Sequence, residues 1–115
     1  MKNLIISDSV VNLSKIDAAL TDNACVVKGY YPEEADTSPF VAIGSSLHEA
    51  VADSENIVIS LEEDKWDNIL LGLAGILTRI SEETKIFNYT ALDQEKLKIY
   101  TQFLTSKNLV FINKV

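Results

Sequence analysis

Five short runs dominate this chain: "NLIIS" (3–7), "ACVVKGY" (24–30), "NIVISL" (56–61), "TKIFNY" (84–89) and "NLVFIN" (108–113). They are rich in Val and Ile, too brief for helices, and bounded by Asn, Ser, Asp or Thr, which reads as strands. Three of them are apolar at nearly every position instead of alternating, as a parallel strand covered on both faces requires. Such strands need layers above and below them, and parallel neighbours need long crossover connections.

The segments between the runs supply those crossovers. In "NLSKIDAAL" (12–20), Leu13, Ile16 and Leu20 share one side, with Ser14 and Asp17 spaced as a first turn. Ser46 and Glu49 form a capping box ahead of a short helix ending near Asp53. From Asp64 to Ser81, Trp66, Ile69, Leu70, Leu73, Ile76, Leu77 and Ile80 repeat at helical period. Thr90 and Asp93 open a last helix, "ALDQEKLKIYTQFLTS", with Lys107 near its end. The alternation predicts an α/β fold, a flavodoxin-like three-layer sandwich with a five-stranded, mainly parallel sheet in the order 2-1-3-4-5. With 115 residues, the chain is read as a single α/β domain over 1–115. In "YYPEEADTSPFVAIGSS" (30–46), Pro32, Pro39 and Gly44 mark turns, and "FVAI" is open to reading as a further strand.

Seventeen acidic residues against ten basic ones give a formal charge of −7, a field that repels nucleic-acid backbones and anionic lipid. Arg79 is the one arginine, so the planar fork used for phosphate and guanine is scarce. Neither nucleic acid nor membrane is expected as a partner. Cys25 is alone, cannot form an internal disulfide, and reads as a small core residue in a reducing cytoplasm. No apolar stretch approaches the roughly 20 residues a membrane span needs, and "MKNLIISDSV" lacks the pattern of a signal peptide, so a cytoplasmic location is expected.

In an open α/β sheet, ligands bind outside the carboxyl ends of the strands. The candidate pocket residues there are Asp8 and Ser9 after the first strand, Ser60 and Glu62 after the third, Thr90 after the fourth and Lys114 after the fifth. Asp8, Glu62, Glu63 and Asp64 offer carboxylates that suit Mg²⁺, but helix capping and the dipole account for the same residues. No cofactor is therefore expected beyond that one ion. His48 has no second His or Cys to make a zinc site or a triad and reads as exposed. The four glycines are too dispersed for a phosphate loop or a dinucleotide fingerprint.

"LIISDSVVNLSKIDAAL" resembles the first strand and helix of response-regulator receiver domains. "YTA" is similar to their hydroxyl position at Thr90 and Ala91, and "INKV" places Lys114 where they keep a lysine. The chain departs from that pattern in having serines beside Asp8, Ser60-Leu61-Glu62 where the phosphate-accepting aspartate stands, and no proline or last helix after Lys114. The resemblance implies a receiver-like interaction module that is not phosphorylated. "NIVISLEEDKWDNILLGLAGIL" with "KIFNYT" also resembles STAS-type anti-sigma-factor antagonist domains, with Asn68 near their regulatory serine, and implies protein binding too. A fainter likeness is to nucleoside deoxyribosyltransferase-like proteins.

Along the 64–81 helix, Asn68, Gly72, Gly75 and Arg79 line up opposite the apolar stripe, with Leu71 beside them. Each interior glycine costs about 1 kcal/mol relative to alanine, so two on an exposed face suggest a groove for close approach by another backbone. Neutral drift, or glycines that are in fact buried, explains them equally. The expectation is a non-catalytic regulatory module that binds a partner protein or itself as a homodimer. The alternative is a small nucleotide- or nucleoside-handling enzyme or binding protein using the carboxyl edge, with Asp8 and Glu62 as its acids.

Overall fold

Each Val- and Ile-rich run becomes a strand, because β-branched side chains are stiff at χ1 and pack well on a pleated, buried surface. The computed structural model describes residues 2–71, 75, 76 and 79–115, with Leu71 in its backbone only. The elements are β1 (Asn3–Ser7), α1 (Val10–Ser14), α2 (Ala18–Thr21), β2 (Cys25–Val27), β3 (Ala42–Gly44), α3 (Leu47–Ala52), β4 (Asn56–Ser60), a 3₁₀ turn (Glu63–Lys65), α4 (Trp66–Leu71), β5 (Lys85–Asn88), α5 (Gln94–Ser106) and β6 (Val110–Asn113). All five strand pairings are parallel, and the sheet runs β3-β2-β1-β4-β5-β6.

The fold class is the predicted one, but the sheet has six strands where five were expected. Without β3 the order is the predicted 2-1-3-4-5; with it, the order is that of the doubly wound dinucleotide-binding fold. β3 comes from the "FVAI" segment and pairs Ala42–Gly44 with Cys25–Val27 at the sheet margin. An edge strand needs no continuous apolar run, and Val41 and Ile43 are indeed 63% and 53% exposed.

Alternation along the central strands divides the core. Leu4 and Ile6 of β1 and Ile57 and Ile59 of β4 face α3, α4 and α5, packing with Val51, Trp66, Leu70, Tyr100 and Leu104. Ile5 and Val58 point the other way, toward Ile16, Leu13 and Leu20 from the α1–α2 segment and Tyr31 and Phe40 from the loop before β3. Every residue of β4 is buried, as its unbroken apolar run requires. Cys25 is half-buried near the sheet edge and not fully in the core as expected.

Helix boundaries differ from expectation at the first and last helices. Ser9 and not Ser14 caps the first helix, its Oγ accepting from Asn12 N–H at 3.1 Å, and the segment breaks into α1 and α2. Asp93 alone caps α5, while Thr90 turns inward. The Ser46 cap of α3 is as predicted, with Glu49 N–H at 3.3 Å.

The largest correction concerns the predicted helix over 64–81. A 3₁₀ turn precedes α4, which spans Trp66–Leu71, and Gly75 is buried and outside any helix. The apolar residues keep their role, since Trp66, Leu70 and Ile76 all lie in the core. A glycine in a helix interior costs about 1 kcal/mol relative to alanine, which disfavours helical backbone at Gly75, while Trp66, Leu70 and Ile76 on either side still reach the core. Gly75 therefore does not line an exposed groove; Asn68 and Arg79 are exposed, while Gly72 and the side chain of Leu71 lie outside the described residues.

Candidate functional site

The strand order reverses between β1 and β4, so the loops leaving their carboxyl ends diverge. A cavity of about 370 Å³ opens there, lined by Ser7 and Asp8 after β1, Gly29, Tyr30 and Tyr31 after β2, and Lys65, Asn68 and Ile69 at the start of α4. The Tyr30–Tyr31 wall is set by backbone bonds: Tyr30 N–H donates to Val27 C=O and Ser7 N–H to Tyr30 C=O, both at 2.9 Å. Gly29 makes the turn possible, with a φ of +91° that side-chain-bearing residues rarely adopt.

Asp8 stands at the rim of this cavity and is held from three sides. Asn12 Nδ2 donates to its Oδ1 at 2.6 Å, and Glu62 N–H and Lys65 Nζ donate to its Oδ2 at 3.1 and 2.9 Å. Burial pushes the Asp8 carboxyl up, but the bonds from Asn12, Lys65 and Glu62 outweigh it and hold the group below the ordinary carboxylate value. Lys65 is raised in turn, first by its hydrogen bond to Asp8 and then by the charges of Asp8, Asp64 and Glu62. The result is a fixed, ionised carboxylate whose cationic partner is shared among several acids.

The other candidates divide sharply. Ser9 spends its oxygen on the α1 cap. Ser60 is fully buried, donating to Asn12 C=O at 2.7 Å, and so positions the residue that positions Asp8. Glu62 is exposed and accepts from Asn12 Nδ2 at 3.3 Å. Thr90 is buried, its Oγ1 accepting from Leu61 N–H at 3.0 Å. Lys114 is exposed beyond β6, three strands from β1 and so roughly 14 Å away at about 4.8 Å per strand.

Asn88 ends the fourth predicted strand at this edge but was not among the candidate pocket residues. It is fully buried, accepting from Trp66 Nε1 at 3.1 Å and Thr90 N–H at 2.9 Å, and donating to Thr90 C=O and to Asn113 Oδ1 at 3.0 and 2.9 Å. Tyr30, Tyr31 and Lys65 were missed as well; two adjacent tyrosines after a glycine at the end of a strand were the available signal.

The carboxylates do not gather into a metal cage. Glu63 Oε2 accepts from Asp93 N–H at 2.6 Å, away from Asp8, and among the described residues no group of three acids, histidines or cysteines is placed to share an ion. His48 is half-buried, not exposed, and lines a smaller hollow of about 190 Å³ with Tyr30, Ser45, Ser46 and Leu47. A hollow of about 400 Å³ lies at the opposite, amino end of the sheet, walled by Asp53, Glu55, Glu82 and Glu83, where no loops diverge from carboxyl ends.

A dinucleotide, which this strand order brings to mind, does not fit the residues present. Its pyrophosphate would need glycines in the first turn and free N–H groups at a helix start. That turn reads Ser7-Asp8-Ser9, with an ionised carboxylate in the phosphate's place and Ser9 already on the helix.

No family model matches this sequence, and no curated protein matches it either. Among solved structures, the chain is similar to 3-hydroxyisobutyrate dehydrogenase from Salmonella typhimurium, with a TM-score of 0.63 and 12% identity over 96% of this chain. The chain spans 40% of that protein's length, and at this identity the likeness shows the fold.

Proposed function

We propose that the chain binds a small molecule of the nucleotide or nucleoside class at the carboxyl edge of β1, β2 and β4. The observation that carries this reading is the cavity of about 370 Å³ at the reversal of strand order, pairing an aromatic wall with a few fixed polar groups. Ligand sites typically measure about 300–1,000 Å³ and sit at such switch points. The structural neighbour is by name a dehydrogenase, which adds fold-level support only.

Binding without chemistry suits Asp8 best. A carboxylate held below its ordinary value is a weak base and stays ionised at neutral pH, so it accepts hydrogen bonds and does not shuttle protons. The test is titration with nucleosides and nucleotides, followed by backbone amide NMR. Shifts clustered at Ser7, Gly29, Tyr31 and Asn68 are expected. A full set of these ligands that moves none of them overturns the reading.

Protein docking is a second reading, favoured by the exposed Val41 and Ile43 at edge strand β3. A free parallel edge accepts an added strand from a partner, with alternate side chains supplying specificity. Ile43→Lys should then weaken complex formation, read by co-purification and size-exclusion chromatography. Unchanged partner recovery removes this reading.

A further inference from the structure

We infer that the cavity between β1, β2 and β4 selects an unphosphorylated nucleoside and rejects its phosphorylated forms, with Asp8 as the rejecting group. This rests on the small-molecule reading above and names the ligand class for the same site.

Three observations lead to it. The place where a phosphate would approach the first turn holds the Asp8 carboxylate, pinned by Asn12, Glu62 N–H and Lys65 and unable to swing aside without breaking all three bonds. α1 offers no alternative anion seat, since it has five residues and its Asn12 N–H is taken by Ser9. Lys65 is the one cation among the described lining residues, and it lies in the field of Asp8, Asp64 and Glu62 together. A phosphate at this rim therefore meets net negative charge, and like charges a few ångströms apart near a surface weaken binding by about tenfold or more.

A neutral nucleoside meets the opposite situation. Its sugar hydroxyls are donors, and Asp8 Oδ1, which accepts from Asn12 Nδ2, keeps capacity for another hydrogen bond, a carboxylate oxygen having two lone pairs. Tyr30 and Tyr31, both half-buried, give the base an aromatic wall.

The test is calorimetric titration of the full chain with adenosine, AMP and ADP at low ionic strength, in wild type and Asp8→Asn. Adenosine should bind, AMP should bind at least about tenfold more weakly, and ADP more weakly still. Asp8→Asn should bring AMP to within about threefold of adenosine, since one full charge is removed at nearly constant shape. Raising salt in the wild type should narrow the same gap without any substitution, because screening acts within about 10 Å at 0.1 M. AMP binding as tightly as adenosine in wild type, or a gap unmoved by both Asp8→Asn and salt, overturns the phosphate exclusion while leaving the site itself standing. No binding by adenosine, guanosine, cytidine or uridine overturns this inference, and no binding by those nucleosides or by AMP and ADP overturns the site reading with it.

Discussion

The carboxyl edge of this sheet has two halves built from the same kinds of residue, and among the described residues the half over β1 and β2 borders a cavity. Over β4 and β5, Asn88, Thr90 and Trp66 bond to one another and to Leu61 N–H, so these side chains are engaged within the fold. Over β1 and β2, Asp8 is equally well held, yet it borders a cavity and not a packed indole. Trp66 makes the difference: it is fully buried, stacks on Tyr100 with ring centroids 4.9 Å apart, and meets Phe111 edge-on at 6.1 Å. Tyr100 is anchored in turn by its hydroxyl, which donates to Asp67. A polar residue at a sheet edge thus becomes a candidate for binding only where space remains beside it.

The comparison is broken most severely by Trp66→Ala. Removing a fully buried tryptophan should cost about 3–5 kcal/mol, read from urea unfolding. The closed half would then hold an apolar void, and indole should recover part of the lost stability. Asn88→Ala leaves Trp66 Nε1 and Thr90 N–H buried without their acceptor and should cost about 2–3 kcal/mol, while ligand binding at the open half persists. Thr90→Val removes the acceptor for Leu61 N–H, with an expected loss of about 1–2 kcal/mol and faster hydrogen exchange at that amide.

Smaller effects sharpen the contrast from the open side. Asp8 has a folded value below its unfolded one, so its contribution to stability is present above about pH 4 and is lost as pH falls through the folded value. Asp8→Asn should therefore lower the urea midpoint at pH 7, with the gap to wild type narrowing as pH falls below about 4. The smallest change is expected for Tyr89→Phe. Tyr89 reaches from the end of β5 to Asp17 at 2.6 Å, and burial, followed by that bond and its charge, pushes the phenol up to about 12. Tyr89 should contribute a loss of stability as pH rises from about 10 to 12, and Tyr89→Phe should make that slope shallower. At neutral pH its cost should be about 1 kcal/mol or less.

Legibility followed burial. All five apolar runs became strands. Those of β1, β2 and β4 were readable because strands covered on both faces leave little choice of residue, and β6, at the sheet margin with Val110 exposed, was readable from its β-branched and aromatic residues. β3 was hardly readable because an exposed edge places no such demand on Ala42–Gly44. The apolar period over 66–80 identified residues that reach the core, but period alone did not show that Gly75 lies outside helical backbone. Asp8 was placed at the correct edge from its position after β1, whereas Thr90 and Ser60 looked equivalent in sequence and proved to be interior hydrogen-bonding groups.

The order of residues by itself determined the class of this protein: apolar segments without alternation must be sheathed on both sides, and the periodic segments between them supply the sheath. Which edge residues stay available to a ligand was decided only in three dimensions. Hydrogen-bond capacity and free volume depend on partners such as Asn12, Trp66 and Asn88 brought from distant positions, and no local pattern encodes those meetings.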